Sequence, residues 1–285
     1  MAISAIPPIA QAWDRMKLVL FQKFDSGKWF ALGFCAFLAY LGEGGGMNFN
    51  IPSNKSLPPD LFQNAKNFIS DNFQLVVTIV AVVLLISLVF WIVMVWLSCR
   101  GKFMFLDGIV HNRAEVSKPW AKFKELGNNL FRFRIVLDII CSLLSISVLA
   151  AAAWIGWSDI QSGELGENGI TALIVLVVTM VPIVLTYILI KDLITDFFAP
   201  IMYLRNVPVR QSISIFFQEL FPGNFWTLTL FYVMKFLLGI GIAMAIGVIV
   251  LLTCCLALIV LIIPYISSVA LLPVSVFMQS YPLYF

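Results

Sequence analysis

Apolar residues run along this chain in long blocks, and the blocks have the length of membrane crossings. Trp29–Gly42, Phe73–Leu97, Ile135–Trp157 and Gly169–Ile190 carry almost no charge, and from Phe225 to Phe277 the chain is apolar almost without pause. A helix needs about 20 apolar residues to cross a hydrocarbon core of roughly 30 Å. The first block is short and borrows from the helix before it; the next three are long enough. The last is about twice what one crossing needs, so it predicts two helices joined by a tight turn near Thr253–Cys255. Pro264 and Pro273 leave a kinked or re-entrant path open there.

A second pattern precedes alternate blocks. Ile9, Trp13, Met16, Leu20 and Phe24 recur at spacings of three and four, with Gln11, Asp14, Arg15, Gln22 and Lys23 elsewhere, which predicts an amphipathic helix. Val116, Trp120, Phe123 and Leu130 repeat the pattern, as do Val209, Ile213, Phe216 and Leu220. Breakers follow, at Ser26–Gly27, Gly127–Asn128 and Pro222–Gly223, and then aromatic residues enter the next block. Such helices are expected to lie in the membrane interface with their apolar faces toward acyl chains.

The wording itself recurs: FQKF, FKEL and FQEL begin at Phe21, Phe123 and Phe217, 102 and 94 residues apart. At the second offset Asn112 pairs with Asn206, Glu125 with Glu219 and Leu126 with Leu220. The pattern predicts one all-α membrane domain over residues 1–285, built of three units near 5–98, 99–191 and 192–285. Each unit is an interfacial helix, a turn and a transmembrane hairpin, giving six crossings. Convergent anchoring without common ancestry is the other reading.

Composition agrees, at 61% hydrophobic and 12% charged with a mean hydropathy of +0.98, far from a soluble domain with about 25% charged residues. Basic residues crowd alternate connections: Arg15, Lys17, Lys23 and Lys28; Arg100 through Arg134; Lys191, Arg205 and Arg210. The intervening connections hold only Lys55 and Lys66. That bias puts both termini on the cytoplasmic side. Charges scattered through the first 28 residues argue against a removable signal peptide.

The strings AWDRMKLVLFQKFDSGKWFALGF, RGKFMFLDGIVHNRAEVSKPWAKFKELGNNLFRF and YPLYF resemble a group of uncharacterised bacterial polytopic membrane proteins. These are distantly similar to the membrane domain fused to some glycerophosphodiester phosphodiesterases. The resemblance covers nearly the whole chain, in anchoring and turn motifs. It implies a plasma-membrane location and a six-span bundle, and family chains usually continue past the equivalent of YPLYF. It carries no residue-level activity, and the soluble phosphodiesterase domain is absent from this sequence.

Ionisable residues inside spans are the best pointers to chemistry, because they are costly in lipid. Lys235 lies inside the fifth span above a stripe of small residues, Gly239, Ala243 and Gly247, of the kind that lets helices approach. Asp138, entering the third span from the same side, is its expected counter-charge. Lys191, Asp192 and Asp196 read as a solvated cap, Glu43 beside three glycines as a linker, and His111 as a surface residue. The five cysteines read as small core residues, with a Cys254–Cys255 disulfide as a remote alternative. Arg113, Lys118, Lys122, Lys124, Arg132 and Arg134, interleaved with aromatics, are candidates for lipid headgroups. No phosphate-binding loop, metal motif or nucleophile elbow occurs, so no cofactor, metal or enzymatic reaction is expected, and no nucleic-acid partner. The sequence therefore favours a lipid-interacting scaffold or accessory subunit of a membrane complex, binding lipids and a protein partner. The alternative is a small-solute or ion transporter with a pathway near Lys235 and Asp138.

Overall fold

The computed structural model describes residues 7–22, 24–41, 72–113, 115–162, 166–253 and 260–285. Among them no strand occurs. Helix α1 (Pro7–Leu20) is followed by α2 (Ser26–Tyr40), α3 (Phe73–His111), α4 (Ser117–Lys122) and α5 (Lys124–Ile155). After α6 (Trp157–Ser162) come α7 (Glu167–Leu193), a π-helical segment Ile194–Phe198, α8 (Ala199–Arg205) and α9 (Val209–Ile215). A second π-helical segment, Phe216–Leu220, leads to α10 (Phe225–Leu252), α11 (Pro264–Ala270) and α12 (Leu272–Tyr284).

Among the described residues four helices are long and apolar enough to cross a membrane: α3, α5, the run Glu167–Arg205 and α10. The pair α11–α12 meets the same test jointly but bends by 66° at Leu271, which realises the kinked path left open at Pro264 and Pro273. Both prolines sit in a first helical turn, where their missing N–H costs nothing. The described residues are thus those of an all-helical, membrane-embedded protein with four or five candidate crossings among them. The turn at Thr253–Cys255 falls mostly outside the described residues, and Glu43, Lys55, Lys66 and Cys254–Cys255 lie wholly outside them.

The long helices divide along their length. The Phe73–Val93 face of α3 is exposed apolar surface, whereas Val95 to Ile109 are almost all buried. The predicted second span therefore does not end at Leu97. It continues as helix through Arg100 and Lys102, because both charges find partners inside the protein. Around this buried half pack Ala12 and Met16 of α1, Leu32 and Ala36 of α2, Leu130 of α5, Met202 of α8, Phe231 of α10 and Tyr281 of α12. Gly101 permits a close backbone approach: a Cβ there would stand 2.6 Å from the backbone of Leu38 and Ala39.

This packing corrects the expected setting of the amphipathic helices. Ala12, Met16, Val19 and Leu20 of α1 turn into the protein, where α1 lies against α12, and Phe123, Val209 and Phe216 do likewise. Trp13, Phe21, Phe24 and Phe217 remain exposed. The break at Gly127–Asn128 does not form either, since both residues lie within α5. Gly127 is instead needed for contact, as a Cβ would meet the Arg100 side chain at 2.8 Å. The first break falls just before Ser26–Gly27, which open α2, with Asp25 capping that helix by accepting from the Gly27 amide at 2.9 Å; the third stands, and Gly223 adopts φ 76°. Asn112 and Asn206, paired by the 94-residue offset, both end helices in the left-handed region, at φ 54° and 50°.

Candidate functional site

A cavity of about 580 Å³ opens where α7 and its π-helical extension meet α2, α10 and the bent α11–α12 pair. Apolar hydropathy stops at Ile190, but the helix does not, and the extra residue of the π turn re-aims the side chains beyond it. Asp196 is carried inward by this extension to 3% exposure. Its Oδ2 accepts from Lys235 Nζ at 2.5 Å. Lys102 donates to Thr195 Oγ1 at 2.7 Å. Around this pair the wall carries Lys191, Asp192, Ser267, Ser268, Ser275 and Gln279. The serines and the glutamine come from the broken helix, where irregular backbone at membrane depth is expected to line a cavity.

Lys235 therefore points to a helix partner, as expected, but the partner is Asp196 and not Asp138. Asp138 is buried on α5 and accepts from the Tyr187 hydroxyl at 2.9 Å. The solvated-cap reading exchanges the two carboxylates because it leaves Asp196 in water, whereas the π-helical turn buries it. Asp138 lines a second cavity of about 400 Å³ between α3, α5 and α7, with Cys141, Ser142, Ser145 and Ile183. Tyr187 lines both cavities.

The small-residue stripe does not pack as expected. A Cβ at Gly239 or Gly247 would meet nothing within 4 Å among the described residues, and Ala243 follows Gly239 by one helical turn.

The six headgroup candidates separate by environment. Lys118, Lys122, Lys124 and Arg132 are exposed, with Lys118 3.0 Å from Glu115 and Lys122 4.9 Å from the Phe123 ring centre. Arg113 is committed to Asp107, donating from Nε at 3.1 Å and Nη2 at 2.8 Å, and this contact raises its pKa further. Arg134 is buried. Arg100 lies between the rings of Trp96 and Trp120, 4.3 and 4.9 Å from their centres, and donates to Asn128 Oδ1. Such stacking suits a guanidinium better than an ammonium.

The end of α3 holds a cluster that the sequence pattern does not disclose. Asp107 is fully buried and accepts from Arg113 and, at 3.0 Å, from the Tyr203 hydroxyl. His111 Nδ1 lies 3.1 Å from that hydroxyl and 3.3 Å from Asp107. The i, i+4 spacing of Asp107 and His111 is the one available signal; Tyr203, 92 residues on, offers none. Arg15 donates to the carbonyls of Ile109 and Val110 and Lys28 to Asn112 Oδ1. Arg15 thereby satisfies orphan carbonyls of the helix end, and both cations suit its negative pole.

Comparison with curated proteins and with solved structures gives no match. A family model covers residues 3–285, and it carries neither a phosphodiesterase likeness nor a bacterial source. The chain belongs to that family, a family of unknown function (DUF7544).

Proposed function

We propose that this chain binds a small charged or zwitterionic solute beside Lys235 and Asp196 and passes it toward Asp138. The observation that carries this reading is the position of Tyr187, whose side chain lines both cavities and hydrogen-bonds to Asp138. A cavity offering Lys191, Lys235, Asp192 and Asp196 together with serine hydroxyls suits a ligand bearing both signs of charge. A broken helix beside it matches the way many transporters build their sites. Sparse polarity along the spans favours a scaffold; the grouping of these side chains moves the weight to transport. Headgroup contact by Lys118, Lys122, Lys124 and Arg132 is compatible with either.

We also infer six crossings in a plasma membrane, three related units and both termini cytoplasmic. Support comes from the matched left-handed Asn112 and Asn206 and from the packing of α1 against α12.

The test is uptake into proteoliposomes holding the full chain. A panel of radiolabelled zwitterionic amino acids is offered first, then potassium and chloride, read with ion-selective dyes. Uptake of at least one probe above empty vesicles, lost in Asp196→Asn and slowed in Tyr187→Phe, is the expected result. Uniform inactivity of folded protein toward all of them would return the scaffold reading to first place.

A further inference from the structure

A third concavity, which meets the first cavity only at Val274, makes a separate case. It is a groove of about 1260 Å³ between α1, α10 and α12, larger than the roughly 300–1,000 Å³ of small-molecule pockets. Its walls are apolar, from Met16 and Trp13 on α1 to Leu238 and Ile242 on α10 and Phe277 on α12. Gly241 and Ala245 also line it, and a Cβ at Gly241 would meet nothing within 4 Å among the described residues. Among those residues Lys17 is the single charged one in the lining. That ammonium stands 5.3 Å from the Trp13 ring centre, and Trp13 itself is half exposed and packs edge-on against Phe277 at 6.2 Å.

The dimensions and the charge identify one occupant. Along α10 the groove runs from Met234 to Ala245, about 16 Å at 1.5 Å per residue, which is close to half of a roughly 30 Å hydrocarbon core. An apolar slot one leaflet deep, with a cation and a tryptophan at its mouth, matches the outline of a lipid. We propose that this groove holds the acyl chains of an anionic phospholipid, with Lys17 at its mouth binding the phosphate. Trp13 then sits at headgroup level, where an amphipathic ring is favoured. Asp14, one turn before Lys17, is exposed and does not line the groove. This site shares only Val274 with the cavity of the proposed transport pathway and none of the basic residues Lys118 to Arg132.

The test is native mass spectrometry of the full chain released from nanodiscs containing equal phosphatidylglycerol and phosphatidylcholine. Wild-type protein is expected to retain phosphatidylglycerol preferentially. Lys17→Gln should cut that preference about fivefold, the worth of one basic residue near an anionic headgroup. Gly241→Phe and Ala245→Phe should expel the retained lipid of either kind, with the unfolding temperature measured to show that each variant is folded. A triple change of Lys118, Lys122 and Lys124 to Gln should leave the retained lipid in place. Equal retention of the two lipids, an unchanged preference in Lys17→Gln, or full retention in the folded Phe variants would each overturn the proposal. So would a wild-type dimer that Ala245→Phe dissociates, which would make the groove a seat for a second copy.

Discussion

At the scale of single residues, the Lys235–Asp196 pair makes an asymmetric prediction. The Asp196 side chain is 4% exposed and that of Lys235 22%. Lys235→Met strands a carboxylate in the interior, and breaking a buried pair in that way costs about 3–5 kcal/mol. Asp196→Asn strands an ammonium that can still reach water, so its loss should be smaller. The double variant should recover most of the stability, and thermal unfolding in detergent checks the order. Glu219 supplies a pH prediction outside the spans. Its carboxylate accepts from Arg205 at 2.9 and 2.5 Å, and that contact holds its pKa below the ordinary 4.5. A carboxyl depressed on folding adds stability above its unfolded pKa and loses it as pH falls through the folded one. Acidification below about pH 4.5 should therefore remove this contribution, and the unfolding temperature of Glu219→Gln should lack that part of the acid decline. The partner of Lys235 is not legible in the sequence. Asp138 falls inside an apolar run and Asp196 beyond the end of one, and the π-helical turn after Leu193 is what carries Asp196 inward to Lys235.

At the scale of elements, hydropathy reveals which helices meet lipid and misjudges where they stop. Arg100 and Lys102 look like the end of a span because their partners, Trp120, Asn128 and Thr195, are distant in sequence. The amphipathic faces of α1 and α9 are visible in their spacing, but a protein core and a lipid tail are equally apolar, so the pattern alone does not say which lies opposite. The contact between α2 and α3 depends on Gly101. Gly101→Val should push α2 outward, because the obstructing atoms include the backbone of Leu38 and Ala39 and cannot rotate away. A loss of about 1–3 kcal/mol is expected from such overpacking, with faster proteolysis near Leu41. Asn206 gives the opposite sign. Its left-handed φ is strained for any residue with a Cβ, so Asn206→Gly should leave stability unchanged or raise it, whereas Asn206→Val should lower it by about 1–2 kcal/mol.

For the whole molecule, the partition of buried and exposed surface implies a topology. The buried halves of α3 and α5, with α1, α8, α9 and α12, gather at one end, and the exposed apolar lengths of α3, α5, α7 and α10 extend away from it. The basic connections belong to the gathered end, and the turn between α5 and α7 to the other. At that turn Asp159 accepts from the Gly169 amide at 2.6 Å and so caps the start of α7. Because Trp13 touches Phe277, α1 and α12 lie together, which supports the proposed even number of crossings, while four or five helices qualify by length and composition among the described residues. The short α2 is the proposed further crossing: its 15 residues reach only about 22 Å, and it begins among the basic residues. Single cysteines at Asp14, Lys118, Gln161 and Tyr284, all exposed positions, can be labelled with an impermeant maleimide in sealed inside-out and right-side-out vesicles. Asp14, Lys118 and Tyr284 should label together from the cytoplasmic face and Gln161 only from the other. Labelling of Tyr284 on the face opposite Asp14 would break the even count, and with it the pairing of chain ends on which the three-unit architecture depends.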